Sequence, residues 1–149
     1  MSLYTITNQE IGFKIHKLVF LLNRQADKNL HQNLKITYSQ VLILQAVKSR
    51  GAVSQRDIAR YWETTDAAVS RQANILVYKG YIQKRENEKN RRQHILSLTP
   101  KGNFILSQSS RILENTFASI FEILDKSQKD QFKDCLDRLL NSICPNTIK

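Results

Sequence analysis

The stretch from Thr64 to Leu98 constrains the fold more than any other, because it reads as a helix that stops sharply and runs straight into a basic hairpin. In TTDAAVSRQANILVYKG, Val69, Ala73, Leu76 and Val77 recur at helical spacing and make one buried stripe. Thr64 or Thr65 supplies a start cap, and Gly80 suits the left-handed residue that ends such a helix. The opposite face carries Thr65, Ala67, Ser70, Arg71 and Asn74. That face is small, polar and singly basic, so it can enter a groove closely and offer hydrogen bonds to base edges. The hairpin YIQKRENEKNRRQHILSLT turns at Asn87-Glu88-Lys89-Asn90, with Lys84, Arg85, Lys89, Arg91 and Arg92 crowded around the tip. Tyr81, Gln83 and Arg85 alternate with Ile82, Lys84 and Glu86 on the way out. On the return, His94, Leu96 and Leu98 share a face, with Ile95 and Ser97 opposite. A groove-sized helix beside a basic finger is a nucleic-acid tool, and the pattern is that of a winged helix-turn-helix.

Upstream, Thr7-Asn8-Gln9-Glu10 has capping-box spacing and predicts a helix start. Ile11, Ile15, Leu18, Val19 and Leu22 form its main stripe, while Phe13 and Phe20 stand off it. A helix apolar on more than one side is one shared between a core and a second subunit. Asp27 to Lys35 is polar and reads as a loop. Thr37-Tyr38-Ser39-Gln40 opens a helix that stops at Gly51, Val53 reads as a short strand or anchor, and Ser54 caps a short helix reaching Tyr61 or Trp62. A tight turn through Glu63 joins it to the grooved helix. Trp62 falls where the short helix must bury its end and is expected in the core. Downstream, Thr99-Pro100 begins a long helix whose apolar surface runs from Phe104 and Ile105 to Ile123 and Leu124. Ser127 to Asp130 restarts a last helix with Phe132, Cys135, Leu136, Leu139, Leu140 and Ile143, ended by Pro145. The expected fold is mainly α with a small β-hairpin wing. The apolar surfaces within residues 8–26 and 104–143 are too large for one small chain to hide, so a symmetric homodimer is expected.

Charge supports the same reading by its location. The 149-residue chain has a net charge of +10. From Lys48 to Gly102, twelve Lys and Arg face five Asp and Glu, so this third of the chain holds +7 of the excess. That focus is the footprint of phosphate neutralisation. No apolar run approaches the ~20 residues of a membrane span, and Lys14 and Lys17 break the apolar stretch nearest the N-terminus. A cytoplasmic protein is expected.

The ordered set of Thr37, Gln40 and Leu44, then SQRDIARYW (54–62), AAVSR (67–71), Leu76 with Lys79-Gly80-Tyr81-Ile82, and Arg85 followed by Asn90-Arg91-Arg92 and Leu98-Thr99-Pro100-Lys101-Gly102 resembles the MarR family of transcriptional regulators. The likeness covers nearly the whole length and is clearest over residues 37–102. It implies a single domain, 1–149, in which residues 8–36 and 103–149 supply dimerisation helices and residues 37–102 the winged module. It further implies a dimer on a pseudo-palindromic operator in double-stranded DNA, usually as a repressor, often released by a small-molecule effector. By position, Thr65, Ala67, Ala68, Ser70, Arg71 and Asn74 would lie on or beside the groove-facing side, and Arg91 would be the wing arginine that enters the minor groove. Lys89, Asn90 and Arg92 complete the wing's contact set. His16, with Phe20 and Tyr38, would lie near the crevice where many relatives bind phenolic ligands. Two positions depart from the pattern. Asn90 stands where the family usually has Asp, which removes a charge that could hold a wing cation. Glu63 stands where the tight turn often has Gly.

Within this frame Ser70 and Arg71 are the candidate base readers, since arginine can bridge both acceptors of a guanine. Lys48, Arg56 and Lys84 would hold phosphates and set register. Two such helices related by a two-fold axis should lie about 34 Å apart, one turn of the duplex.

Other chemistry finds little footing. His16, His31 and His94 share no metal-ligand spacing with Cys135 or Cys144. No metal and no cofactor are expected, and both cysteines read as buried structural thiols. There is no nucleophile elbow, phosphate loop or paired-carboxylate motif, and four glycines leave no room for a Gly-rich cradle. An enzyme is therefore not expected. A non-specific architectural DNA binder and a winged-helix protein-interaction module remain as alternatives, the latter disfavoured by Arg71, Arg91 and Arg92.

Overall fold

A computed structural model describes residues 7–88 and 90–144, and within the hairpin the side chains of Arg91 and Arg92 lie outside that description. The expectations resting on Lys89, on those two side chains and on Pro145 therefore fall outside the described residues.

The elements run α1 (Asn8–Leu34), α2 (Tyr38–Arg50), β1 (Val53–Ser54), α3 (Gln55–Tyr61), α4 (Asp66–Tyr78), β2 (Ile82–Asn87), β3 (Asn90–Leu98), α5 (Pro100–Phe121) and α6 (Lys126–Ile143). The fold is mainly helical with a small antiparallel sheet ordered β1-β3-β2. Start signals read from the sequence do their work. The Thr7 hydroxyl oxygen accepts the Glu10 amide at 3.2 Å. Thr37 and Gln40 close a reciprocal capping box, with bonds of 3.3 and 3.2 Å. Thr99 accepts the Gly102 amide at 2.9 Å, with Pro100 following it in the first turn of α5. Each such cap satisfies an amide that the helix itself leaves bare.

Two expectations need correction. The segment 27–35 is not a loop, because α1 continues through Leu34. Ala26 and Leu30 are fully buried and Leu34 half-buried, a stripe at every fourth residue. The polar residues around that stripe are used by the fold: Asp27 Oδ1 accepts the Tyr38 amide at 2.6 Å, and the Asn29 side chain donates to Thr116 Oγ1 at 2.8 Å. The last helix also begins earlier than Ser127, capped by Asp125 in a box with Gln128, and Ile123 and Leu124 belong to the turn before it.

The core gathers Leu30, Ile36, Leu44, Ile58, Leu76, Ile82 and Leu96, all under 2% exposed, beneath the winged module. The register pairs Ile82 with Leu98, Lys84 with Leu96 and Glu86 with His94, so the residues grouped by alternation do share a face. β1 joins through Val53 opposite Leu96. By contrast α6 buries none of its residues, and α1 leaves Ile11, Phe13, Ile15, Val19 and Phe20 exposed. Among the described residues no helix is long and apolar enough to cross a membrane.

Candidate nucleic-acid interface

The turn between α3 and α4 fixes how the second helix is presented. Glu63 amide donates to the Arg60 carbonyl at 3.2 Å and Thr64 amide to the Ala59 carbonyl at 2.9 Å. This pair of bonds is a Schellman stop, which needs a left-handed residue just past the helix end. Glu63 occupies that position at φ +47. The same stop closes α4, where Gly80 and Tyr81 donate to Val77 and Leu76 and Gly80 sits at φ +74. Thr65 then caps α4, its hydroxyl oxygen accepting the Ala68 amide at 3.1 Å.

Val69, Ala73 and Leu76 bury the inner face of α4. The outer face leaves Thr65, Ala67, Arg71 and Asn74 exposed and Ser70 half-buried. Thr65 therefore spends one acceptor on the cap and retains its hydroxyl proton for a second partner. The sequence reading missed Tyr78, which is 92% exposed. The signal was present: Ala67, Arg71, Asn74 and Tyr78 follow one another at spacings of four, three and four, the repeat of a single helix face.

The phosphate candidates are distributed around that face. Lys48 is exposed at the end of α2, its ammonium donating to Asn103 Oδ1 at 2.8 Å. Arg56 lies 3.8 Å from Asp66, with both side chains more than half exposed. An exposed pair of this kind is worth ~0–1 kcal/mol, so a phosphate could replace the carboxylate at little cost. Lys84 is half-buried on the face that carries Ile82 and Leu96. Asn90 opens β3 at the hairpin tip and pairs in register with Asn87. Between the base of the wing and α4, a polar cleft is lined by Ser54, Gln55, Arg56, Asp66, Gln93 and His94.

The remaining site expectations fare differently. His16 and Phe20 are exposed on the N-terminal half of α1. Tyr38 is anchored instead at Asp27, eleven residues further along α1, which puts it roughly 16 Å along the helix axis from His16. Tyr38 packs edge-on against Phe117, with 6.2 Å between ring centroids. The structure thus does not bring these three into one site within a chain. Trp62 is not in the core: it is 39% exposed, edge-on to Tyr61 at 4.8 Å. Nor are the thiols buried. Cys135 is exposed, and Cys144 is partly exposed with its thiol donating to Glu63 Oε1 at 2.9 Å. No residue of α6 is fully buried within the chain, and Cys144 caps its end. Among the described residues no group of three or more His, Cys, Asp or Glu side chains could hold a metal ion.

Short helix, left-handed stop, exposed second helix and antiparallel wing define a winged helix-turn-helix protein. Comparison with known proteins agrees at three levels. Residues 34–93 match the profile of the MarR family. The multiple antibiotic resistance protein MarR of Salmonella typhimurium is 25% identical over 95 residues, which cover 62% of this chain and 66% of that protein, just under two thirds of its length. Among solved structures, a MarR-family transcriptional regulator from Rhodococcus sp. RHA1 superposes with a TM-score of 0.84 at 15% identity, covering 97% of this chain and 99% of its own. A mutant MarR from E. coli complexed with operator DNA superposes with a TM-score of 0.79 at 20% identity, over 87% of this chain and 93% of its own. Over residues 34–93 the chain is similar to the MarR family, and its fold is that of the solved MarR proteins.

Proposed function

We propose that this protein is a sequence-specific regulator of transcription that binds double-stranded DNA as a homodimer. In this reading residues 37–102 form the reading module, and residues 8–36 and 103–149 the dimerisation helices. The observation that carries it is the outer face of α4, where Ala67, Arg71 and Asn74 stand exposed in line while the opposite face is locked into the core. Thr65 and Ser70 flank that line. Arg71 reads a base edge, and Arg56, Lys48 and Lys84 hold phosphates to either side. Lys89, Asn90, Arg91 and Arg92 form the wing's contact to the adjacent backbone or minor groove. The E. coli relative solved with operator DNA supports this assignment by its shared fold. Repression is the outcome favoured by the family, with release by a small effector.

Selection of bound duplexes from a random pool tests the reading. The expected product is a pseudo-palindrome whose half-site centres lie roughly 10 base pairs apart. A pool that binds without enrichment would instead identify an architectural DNA binder.

A further inference from the structure

Three stretches of the sequence, 28–56, 67–85 and 89–113, contain no Asp or Glu. They include the C-terminal ends of α1, α2 and α4 and the first turns of α5, and these four ends meet. The Lys79 ammonium donates to the Lys35 carbonyl at 2.6 Å, and the Lys101 ammonium to the Lys79 carbonyl at 2.9 Å. On the other side of α5, Lys48 donates to Asn103 Oδ1 at 2.8 Å. Capping bare helix carbonyls accounts for two of these bonds. It uses one of an ammonium's three donors and neutralises no charge. Among the described residues, none of these lysines forms an ion pair.

Phe104 stands amid this cluster, 62% exposed. Its neighbour Gly102 faces the Tyr81 carbonyl at the base of the wing. Residue 104 lies about 200° further round the helix, so Phe104 points away from the wing. Lys101, three positions earlier, borders the ring on one side, and Asn103 with Lys48 on the other. Arg111, also exposed, lies two turns on along the same stripe, with Ser107 and Gln108 between. The exposed apolar half of α1 is too far away to cover this ring. It reaches α5 at Ile120, where Leu18, Leu21 and Leu22 gather. That is roughly 24 Å from Phe104 along the helix axis.

A nucleic-acid backbone offers charge but no apolar partner for a benzyl ring. A protein segment offers both, and aromatic side chains anchor such contacts. We propose that the first three turns of α5 dock an acidic protein segment whose apolar side chain packs on Phe104. Its carboxylates meet Lys101 and Lys48 beside the ring and Arg111 beyond it. Ser107 is small enough for the segment's backbone to lie close between Phe104 and Arg111. The site takes no residue from the outer face of α4, so it is separable from duplex binding.

A short fluorescein-labelled peptide of Asp and Glu around a central Phe-Leu pair tests the site, by fluorescence anisotropy on the full-length protein. Binding half-complete at about 100 µM or below is expected in dilute buffer. Added salt should weaken it, because the charges are exposed. Replacing the peptide's Phe-Leu pair by Ser-Ser, or introducing Phe104→Ser in the protein, should weaken it at least about fivefold. Arg111→Gln should weaken it about two- to threefold and flatten the salt dependence. Both side chains are exposed, so both variants should keep the wild-type melting temperature. Wild-type affinity in folded Phe104→Ser overturns the site. Equal binding of the Phe-Leu and Ser-Ser peptides would show attraction by charge alone and overturns it as well. Duplex DNA should leave the peptide in place, and displacement by duplex would put the acids on the outer face of α4 or the wing instead. Phe104→Ser should sediment as the wild type does, and a lighter species would assign the ring to contact with a second copy.

Discussion

Gly102, in the first turn of α5, packs directly beneath the carbonyl of Tyr81, so that a β-carbon at position 102 would overlap the Tyr81 carbonyl oxygen. That oxygen also accepts the Thr99 amide at 3.1 Å and the Thr99 hydroxyl at 3.2 Å. The contact therefore ties the end of α4, the start of the wing and the start of α5 at one point. The obstacle is backbone and cannot swing aside as a side chain would. Gly102→Ala should cost about 3 kcal/mol, the upper end of the range for overpacking. Urea unfolding at neutral pH measures it, and a loss below about 1 kcal/mol would mean that α5 shifts freely against the wing.

The two Schellman stops offer a matched pair. Glu63 and Gly80 adopt the same left-handed backbone, at φ +47 and +74, but one carries a β-carbon and the other does not. Glu63→Gly should stabilise the chain by about 0.5–1 kcal/mol, the relief of left-handed strain less the extra freedom of glycine when unfolded. Gly80→Ala should destabilise it by about 1 kcal/mol or more for the converse reason. Thermal melts of both variants check the signs, and a destabilised Glu63→Gly would show that the Glu63 side chain contributes more than its backbone costs.

How far the chain could be read in advance follows from where its information lies. Thr7, Thr37, Ser54, Thr65 and Thr99 announce helix starts because capping is local chemistry, settled within three or four residues. The two faces of the hairpin were legible because alternation along β2 and β3 is also local, whereas the register shift between Glu86 and Asn87 was not. Apart from the start of α6, where the Asp125–Gln128 box was passed over, the misreadings concern contacts made over distance. Ala26, Leu30 and Leu34 were too sparse among polar neighbours to look helical until α5 is seen covering them, with Asn29 bonded to Thr116. Trp62 looked like core from its place at a helix end, yet its exposure depends on the gap between α2 and α4, which no spacing encodes. Tyr78 was recoverable, but a tyrosine beside buried Val77 draws no notice until the helix is known to end there.

If the outer face of α4 reads DNA as proposed, substitutions there should separate specificity from affinity. Arg71→Ala should lose about 1–3 kcal/mol for the selected duplex and much less for random DNA. Arg91→Ala should weaken both and flatten the salt dependence, as loss of a phosphate-neighbouring cation does. Tyr78→Ala, at a position 92% exposed, should leave stability within about 0.5 kcal/mol while weakening the complex. Competition binding at two salt concentrations distinguishes the three. Equal losses of Arg71→Ala on specific and random DNA would place Arg71 on the backbone rather than on a base.

Tyr38 gives stability an alkaline limit. Burial raises the pKa of its phenol above the usual value. Below pH about 10 the hydroxyl is neutral in folded and unfolded chains alike, and its contribution is fully present. Above that, the unfolded chain ionises first, so stability falls as pH rises through the higher folded pKa. Tyr38→Phe removes this component. Urea unfolding between about pH 9 and 11 should show wild type losing more stability than the variant. Parallel pH curves would mean that the phenol is solvated in the folded chain.

The proposed homodimer rests on the terminal helices. Phe132, Leu136, Leu139, Leu140 and Ile143 lie along one side of α6 at exposures from 36% to 77%. Phe13 and Phe20 of α1 are 67% and 60% exposed. Monomers seldom leave so much contiguous apolar surface in water. Since Leu140 is 54% exposed on a helix with no fully buried residue, Leu140→Asp should leave the winged module folded but oppose any assembly through this face. A buried unpaired carboxylate costs several kcal/mol, enough to move a micromolar dimer to monomer. Sedimentation equilibrium at tens of micromolar should find wild type as a dimer and Leu140→Asp as a monomer with unchanged far-UV circular dichroism. The variant should also lose the preference for two half-sites and retain weak binding to one. A wild-type protein that sediments as a monomer would remove the fixed spacing between reading helices, and with it the grip on a pseudo-palindromic operator.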